Sequence, residues 1–126
     1  MIGSEIKNIL SKSVDGNIEI VLDTSAGFYK LNRGGFKGVS NTKDFETSTF
    51  YSTGVIINEV RSDVEYCVIK LSDGNYLVYG PDAISGEGEL FDGLKVKESK
   101  DIDIDFQDWY DNHVQKLSEE KSFYGL

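Results

Sequence analysis

The stretch from Val64 to Tyr79 constrains the fold of this chain more than any other. Val64-Glu65-Tyr66-Cys67-Val68-Ile69-Lys70-Leu71 is dense in β-branched and aromatic residues, and Tyr76-Leu77-Val78-Tyr79 repeats that chemistry. Such side chains suit a pleated, packed surface. Ser72-Asp73-Gly74-Asn75 lies between the two runs, and Asp-Gly tolerates the positive φ of a tight hairpin turn. An antiparallel hairpin is expected, ended by Gly80-Pro81-Asp82.

The same reasoning extends to both sides. Asn17 to Asp23 reads as a strand, with Ala26 to Leu31 as its partner across Asp23-Thr24-Ser25. Asn32-Arg33-Gly34-Gly35 reads as a turn, residues 37–48 as a polar loop, and Thr49 to Val60 as one or two strands broken near Gly54. Gly93 to Glu98 alternates apolar and polar, the pattern of a half-exposed edge strand whose lysines discourage further pairing. Ile2, Ile6, Ile9, Leu10 and Val14 follow at spacings of four, three, one and four, which predicts a short amphipathic helix stopped by Gly16. Phe106, Trp109, Tyr110, His113, Val114 and Leu117 form one helical stripe, with Asp105 as cap and Ile102 and Ile104 turned inward. The chain of 126 residues suffices for one domain. The expected fold is α+β: a single antiparallel sheet of about five or six strands, a short N-terminal helix and a C-terminal amphipathic helix.

Charge is distributed unevenly. Residues 1–61 carry seven bases and seven acids, whereas residues 62–126 carry six bases and fifteen acids, the whole net charge of −9. A field of that sign repels nucleic-acid phosphate and anionic membrane surfaces, and it steers a basic protein partner. Solubility alone also accounts for acidic character. Apolar runs are short, so nothing spans a membrane, and the N-terminus lacks the basic-then-apolar layout of a signal peptide. A cytoplasmic location is expected.

Catalytic and metal-binding patterns are weak. Asp101-Ile102-Asp103-Ile104-Asp105 starts like a calcium loop, but its sixth and twelfth positions hold Phe106 and Asn112 where glycine and glutamate are required. Cys67 and His113 are the single thiol and imidazole. They suggest a nucleophile and base on paper, but a strand cysteine ordinarily packs as a small hydrophobe, and His113 falls on the apolar stripe. Asn32-Arg33-Gly34-Gly35-Phe36-Lys37-Gly38 is glycine-rich and basic without the spacing of a phosphate loop. Glu87, Glu89 and Asp92 supply carboxylates for glycosidase chemistry, but nothing fixes their separation. No cofactor, no metal and no enzymatic activity are expected.

An interaction surface remains. Leu90 and Phe91 lie between carboxylates, and tyrosines supply amphipathic area of the kind found at interface hot spots. The run Asp101-Ile-Asp-Ile-Asp-Phe-Gln-Asp-Trp-Tyr-Asp-Asn-His113-Val-Gln-Lys-Leu117, preceded by a hairpin with an Asp-Gly turn, resembles the closing helix of the SMI1/KNR4 group of bacterial toxin-immunity proteins. The chain lacks that group's Leu-Pro step near the N-terminus. The resemblance implies an immunity protein that neutralises a basic toxin, with a nuclease as the expected partner, by covering its active-site surface. The expected contacts are Asp82, Glu87, Glu89, Leu90, Phe91, Asp92, Asp101 and Asp103. An acidic DNA mimic and a non-catalytic structural or ligand-binding module are the alternatives.

Overall fold

Asp15 and Gly16 decide the course of the N-terminal third. Both have positive φ, 50° and 84°, as the two central residues of a type I′ hairpin turn require. The chain therefore reverses as a strand pair: β1 (Ile6–Val14) runs antiparallel to β2 (Asn17–Thr24), with Val14 opposite Asn17 and Ile9 opposite Leu22. The expected N-terminal helix does not form. Its helix-like spacing arises from a register shift between Ile6 and Asn8. That irregularity turns Ile6 and Ile9, three residues apart, toward the same core, where a regular strand would alternate.

The computed structural model describes residues 1–50, 54–80, 89–91 and 94–117. They form two antiparallel sheets, which overturns the single-sheet expectation. The first adds β3 (Gly27–Asn32), β4 (Gly35–Val39) and β5 (Glu46–Phe50), in the order β4-β3-β2-β1-β5. The Arg33-Gly34 turn joins β3 to β4 as expected, but Lys37 to Val39 belong to a strand and not to a loop. The second sheet contains β6 (Ile57–Ser62), β7 (Cys67–Leu71), β8 (Tyr76–Tyr79), β9 (Glu89–Phe91), β10 (Leu94–Lys97) and β11 (Gln115–Lys116). Its order is β11-β6-β7-β8-β10-β9, so β10 is an interior strand and β9 holds the edge. The lysine-protected edge expected at residues 93–98 is therefore misplaced.

The sheets meet face to face. Ile9, Ile20, Leu22, Leu31 and Phe36 of the first pack with Val60, Cys67, Ile69, Leu71 and Leu77 of the second. Each large side chain removed from water here contributes about 1.5–3 kcal/mol. Residues 3–6 and 55–57 knit one edge, with Gly3 N–H donating to Ile57 O at 2.7 Å and Ile6 N–H to Val55 O at 2.9 Å. No helix among the described residues is long and apolar enough to cross a membrane.

The helix makes a third layer. α1 (Ile104–His113) packs Phe106 and Tyr110 on Val68, Tyr76 and Val78, the outer face of the second sheet. Its cap is Asp103, whose carboxylate accepts Phe106 N–H at 2.8 Å, and not Asp105 two residues later. Val114 leaves the helix in an extended conformation, and Leu117 enters the inter-sheet core. Strands β7 and β8 are thus covered on both faces. This explains why they read as near-continuous apolar runs.

Candidate functional site

The phase of α1 is set by aromatic contact. Tyr76 meets Phe106 edge-on with centroids 5.2 Å apart, and Tyr110 at 5.1 Å. Tyr66 meets Trp109 at 5.5 Å. With Phe106 and Tyr110 buried, Asp105, Asp108 and Asp111 face solvent. Ile104 does too, at 76% exposure, contrary to the inward orientation expected for it. Positions 104, 108 and 111 are separated by four and seven residues, which stacks them along one helix face. An apolar side chain therefore stands among carboxylates on a ridge. Its equal in exposure is Val64, also 76%, which lines a shallow groove with Ser62, Asp63, His113 and Gln115 at the other end of the helix.

A polar lock fixes this ridge to the sheet. Tyr110 donates its hydroxyl hydrogen to Glu59 Oε1. Arg61 Nε donates to the same oxygen at 2.8 Å, the guanidinium carbon lies 4.5 Å from the Tyr110 ring centroid, and Nη1 donates to the Tyr110 carbonyl at 3.3 Å. Lys116 Nζ stands 3.9 Å from the Glu59 carboxylate. Burial alone would raise the Glu59 carboxyl, but the Tyr110 and Arg61 hydrogen bonds and the charges of Arg61 and Lys116 outweigh it and hold it below its usual value. Burial, together with the Glu59 carboxylate, raises the Tyr110 hydroxyl, so it stays a neutral donor. The groups satisfy one another, and their chemistry is orientation of the helix.

The expected contact residues divide. Asp101 and Asp103 are exposed at the start of the ridge, and Asp103 also serves as the helix cap. Asp101 closes the short 3-10 turn Ser99–Asp101, its N–H donating to Glu98 O at 2.8 Å. Glu89, Leu90 and Phe91 form the edge strand β9. Asp82, Glu87 and Asp92 lie outside the described residues. Ile104 was missed because helical phase, and not composition, turns it outward.

The Cys67–His113 pairing fails on geometry. Cys67 faces the inter-sheet core, the opposite side of the second sheet from α1, and burial pushes its thiol up to about 12. His113 is exposed in the last helical turn, not packed on the apolar stripe as expected. Among the described residues no group of three or more His, Cys, Asp or Glu side chains is placed to hold a metal ion. Comparison with protein families, with curated proteins and with solved structures finds no match to this chain.

Proposed function

We propose that this chain is a stoichiometric protein inhibitor that docks a basic partner on the exposed face of α1, and that the partner is a bacterial toxin, a nuclease in the simplest case. One observation carries the reading: Ile104, three-quarters exposed, stands between aspartates on a helix whose orientation is locked from beneath. An apolar anchor ringed by charge is the layout of an interface hot spot, with the anchor setting residence time and the carboxylates setting encounter rate. Asp101, Asp103, Asp105, Asp108 and Asp111 would pair with the lysines and arginines that a nuclease uses for phosphate.

The test is to search the reading frames beside this chain's gene for a secreted protein with a basic C-terminal domain, co-express the two, and measure binding kinetics on the purified pair. The wild-type chain is expected to rescue growth. Raising salt from 50 to 500 mM should slow association far more than it speeds dissociation. Ile104→Ala should speed dissociation at least tenfold, and Asp105→Asn with Asp108→Asn should slow association. Absence of rescue, or rescue indifferent to all three substitutions, refutes the proposal.

A further inference from the structure

The other outer face of the sandwich carries charge of the opposite sign. Sheet order places β4 and β5 at opposite edges of the first sheet, so the connection 40–45 has to span it. Asn41 and Phe45 of that connection line one cavity of about 390 Å³ together with residues of β1, β2, β3 and β4. The connection therefore straps the outer face. It is itself ordered by Asn41, whose side-chain oxygen accepts Lys43 N–H at 2.9 Å, and by Phe45 N–H donating to Thr42 O at 3.1 Å.

Three lysines line this cavity, Lys12 on β1, Lys30 on β3 and Lys37 on β4. One carboxylate lines the cavity with them, Glu19, and it is engaged by Lys30 at 3.3 Å, while Asp44 and Glu46 line an adjoining groove with Lys12. Lys30 and Lys37 stand directly opposite each other in the β3–β4 pair, an arrangement that costs stability in a sheet. Lys37 has no carboxylate partner among the described residues, and Lys12 lies over the Phe45 ring at 5.5 Å. Protection of an edge strand accounts for Lys37 on β4. It does not account for Lys12 and Lys30, whose strands are interior. Asn32 lines the same cavity, and its Nδ2 is buried with no acceptor among the described residues. Val21 and Val39 add apolar lining beside the Phe45 ring.

We propose that this strap-covered cavity binds the phosphate group of a small organic phosphate ester. Lysines act as point charges toward a tetrahedral dianion, and no arginine fork shaped for a planar carboxylate lines the cavity. The valines and Phe45 would receive the ester's apolar body. The glycine-rich basic segment that fails as a phosphate loop contributes here as a hairpin, through Asn32 and Lys37. The site shares no residue with the α1 ridge and stands or falls independently of it.

The experiment is calorimetric titration of the whole chain at constant ionic strength, with phenyl phosphate and inorganic phosphate as probes. Phenyl phosphate is expected to bind at one site, and inorganic phosphate to compete for it more weakly. Lys12→Gln and Lys37→Gln should each lower affinity roughly tenfold, the weight of one charge-assisted contact. Lys100→Gln, on an exposed side chain paired with Glu98 outside the cavity, should change nothing. Amide resonances that shift on binding should lie in β1–β4 and residues 40–45. The absence of saturable binding at millimolar probe overturns the proposal, as does an equal loss in Lys100→Gln. Tighter binding of single-stranded DNA or of a polyglutamate peptide than of phenyl phosphate overturns the assignment to a small ester.

Discussion

The second sheet presents Val68, Tyr76 and Val78 on its outer side, and α1 seals them with Phe106 and Tyr110. The first sheet presents Val21 and Val39 among Lys12, Lys30 and Lys37, and among the described residues the 40–45 connection crosses it. Both faces are built from antiparallel strands, yet among the described residues one is covered by a helix and the other by a loop. The difference is the density of apolar side chains at alternate positions. A face of valine and tyrosine gains more from burial than the ordering of a helix costs. A face interrupted by ammonium groups would have to desolvate them under a helix. The outcome is a layered molecule with an acidic ridge on one outside and a basic cavity on the other.

Removing the seal should break this contrast most visibly. Phe106→Ala deletes the ring that contacts Tyr76, Trp109 and Tyr110 together. A loss of about 3–5 kcal/mol is expected in urea unfolding, with α1 exchanging its amides before the sheets do. Gly80→Ala should follow. A Cβ there would stand 2.2 Å from a Tyr66 ring carbon and 3.0 Å from the Glu65 carbonyl, and the forced shift of Tyr66 off Trp109 costs about 1–3 kcal/mol. Its effect should be confined to the helix side.

Glu59→Gln tests the lock. With its pKa held low in the folded state, the Glu59 carboxylate contributes stability above the unfolded value near 4.3, and loses it as pH falls through the lower folded value. The variant is expected to be weaker than wild type by about 1–2 kcal/mol at pH 7, and the gap should narrow below about pH 4. A gap that does not change with pH would refute the ionic account of the lock. Smallest is the effect of Asp105→Asn with Asp108→Asn on folding. These exposed groups should shift stability by less than about 0.5 kcal/mol each, and a larger loss in a thermal melt would make the ridge structural and not functional.

The residues differ in how openly they announce these roles. The Asp73-Gly74 hairpin, the Arg33-Gly34 turn and the aromatic helix near Phe106 were legible, because turn chemistry and periodicity are local properties. Asp15-Gly16 carried an equally strong hairpin signal. The Ile6/Ile9 spacing outweighed it, since a shift in strand register imitates a helical period. Asp101 and Asp103 were legible as exposed acids, but Ile104 was not, because the direction of one side chain depends on which aromatics the sheet receives. Lys12, Lys30 and Lys37 are scattered through residues 1–61, which carry no net charge, so composition could not bring them together.

By itself the sequence determined that this chain makes short antiparallel strands, that an aromatic-faced helix forms near Phe106, and that its carboxylates gather in the second half. Each follows from neighbours along the chain: turn residues, side-chain branching and local charge. Only tertiary structure decided that there are two sheets, which of their outer faces a helix would cover, and which lysines from distant strands would share a cavity. Those outcomes depend on strand order and pairing register, and both are settled by burial summed over the whole molecule.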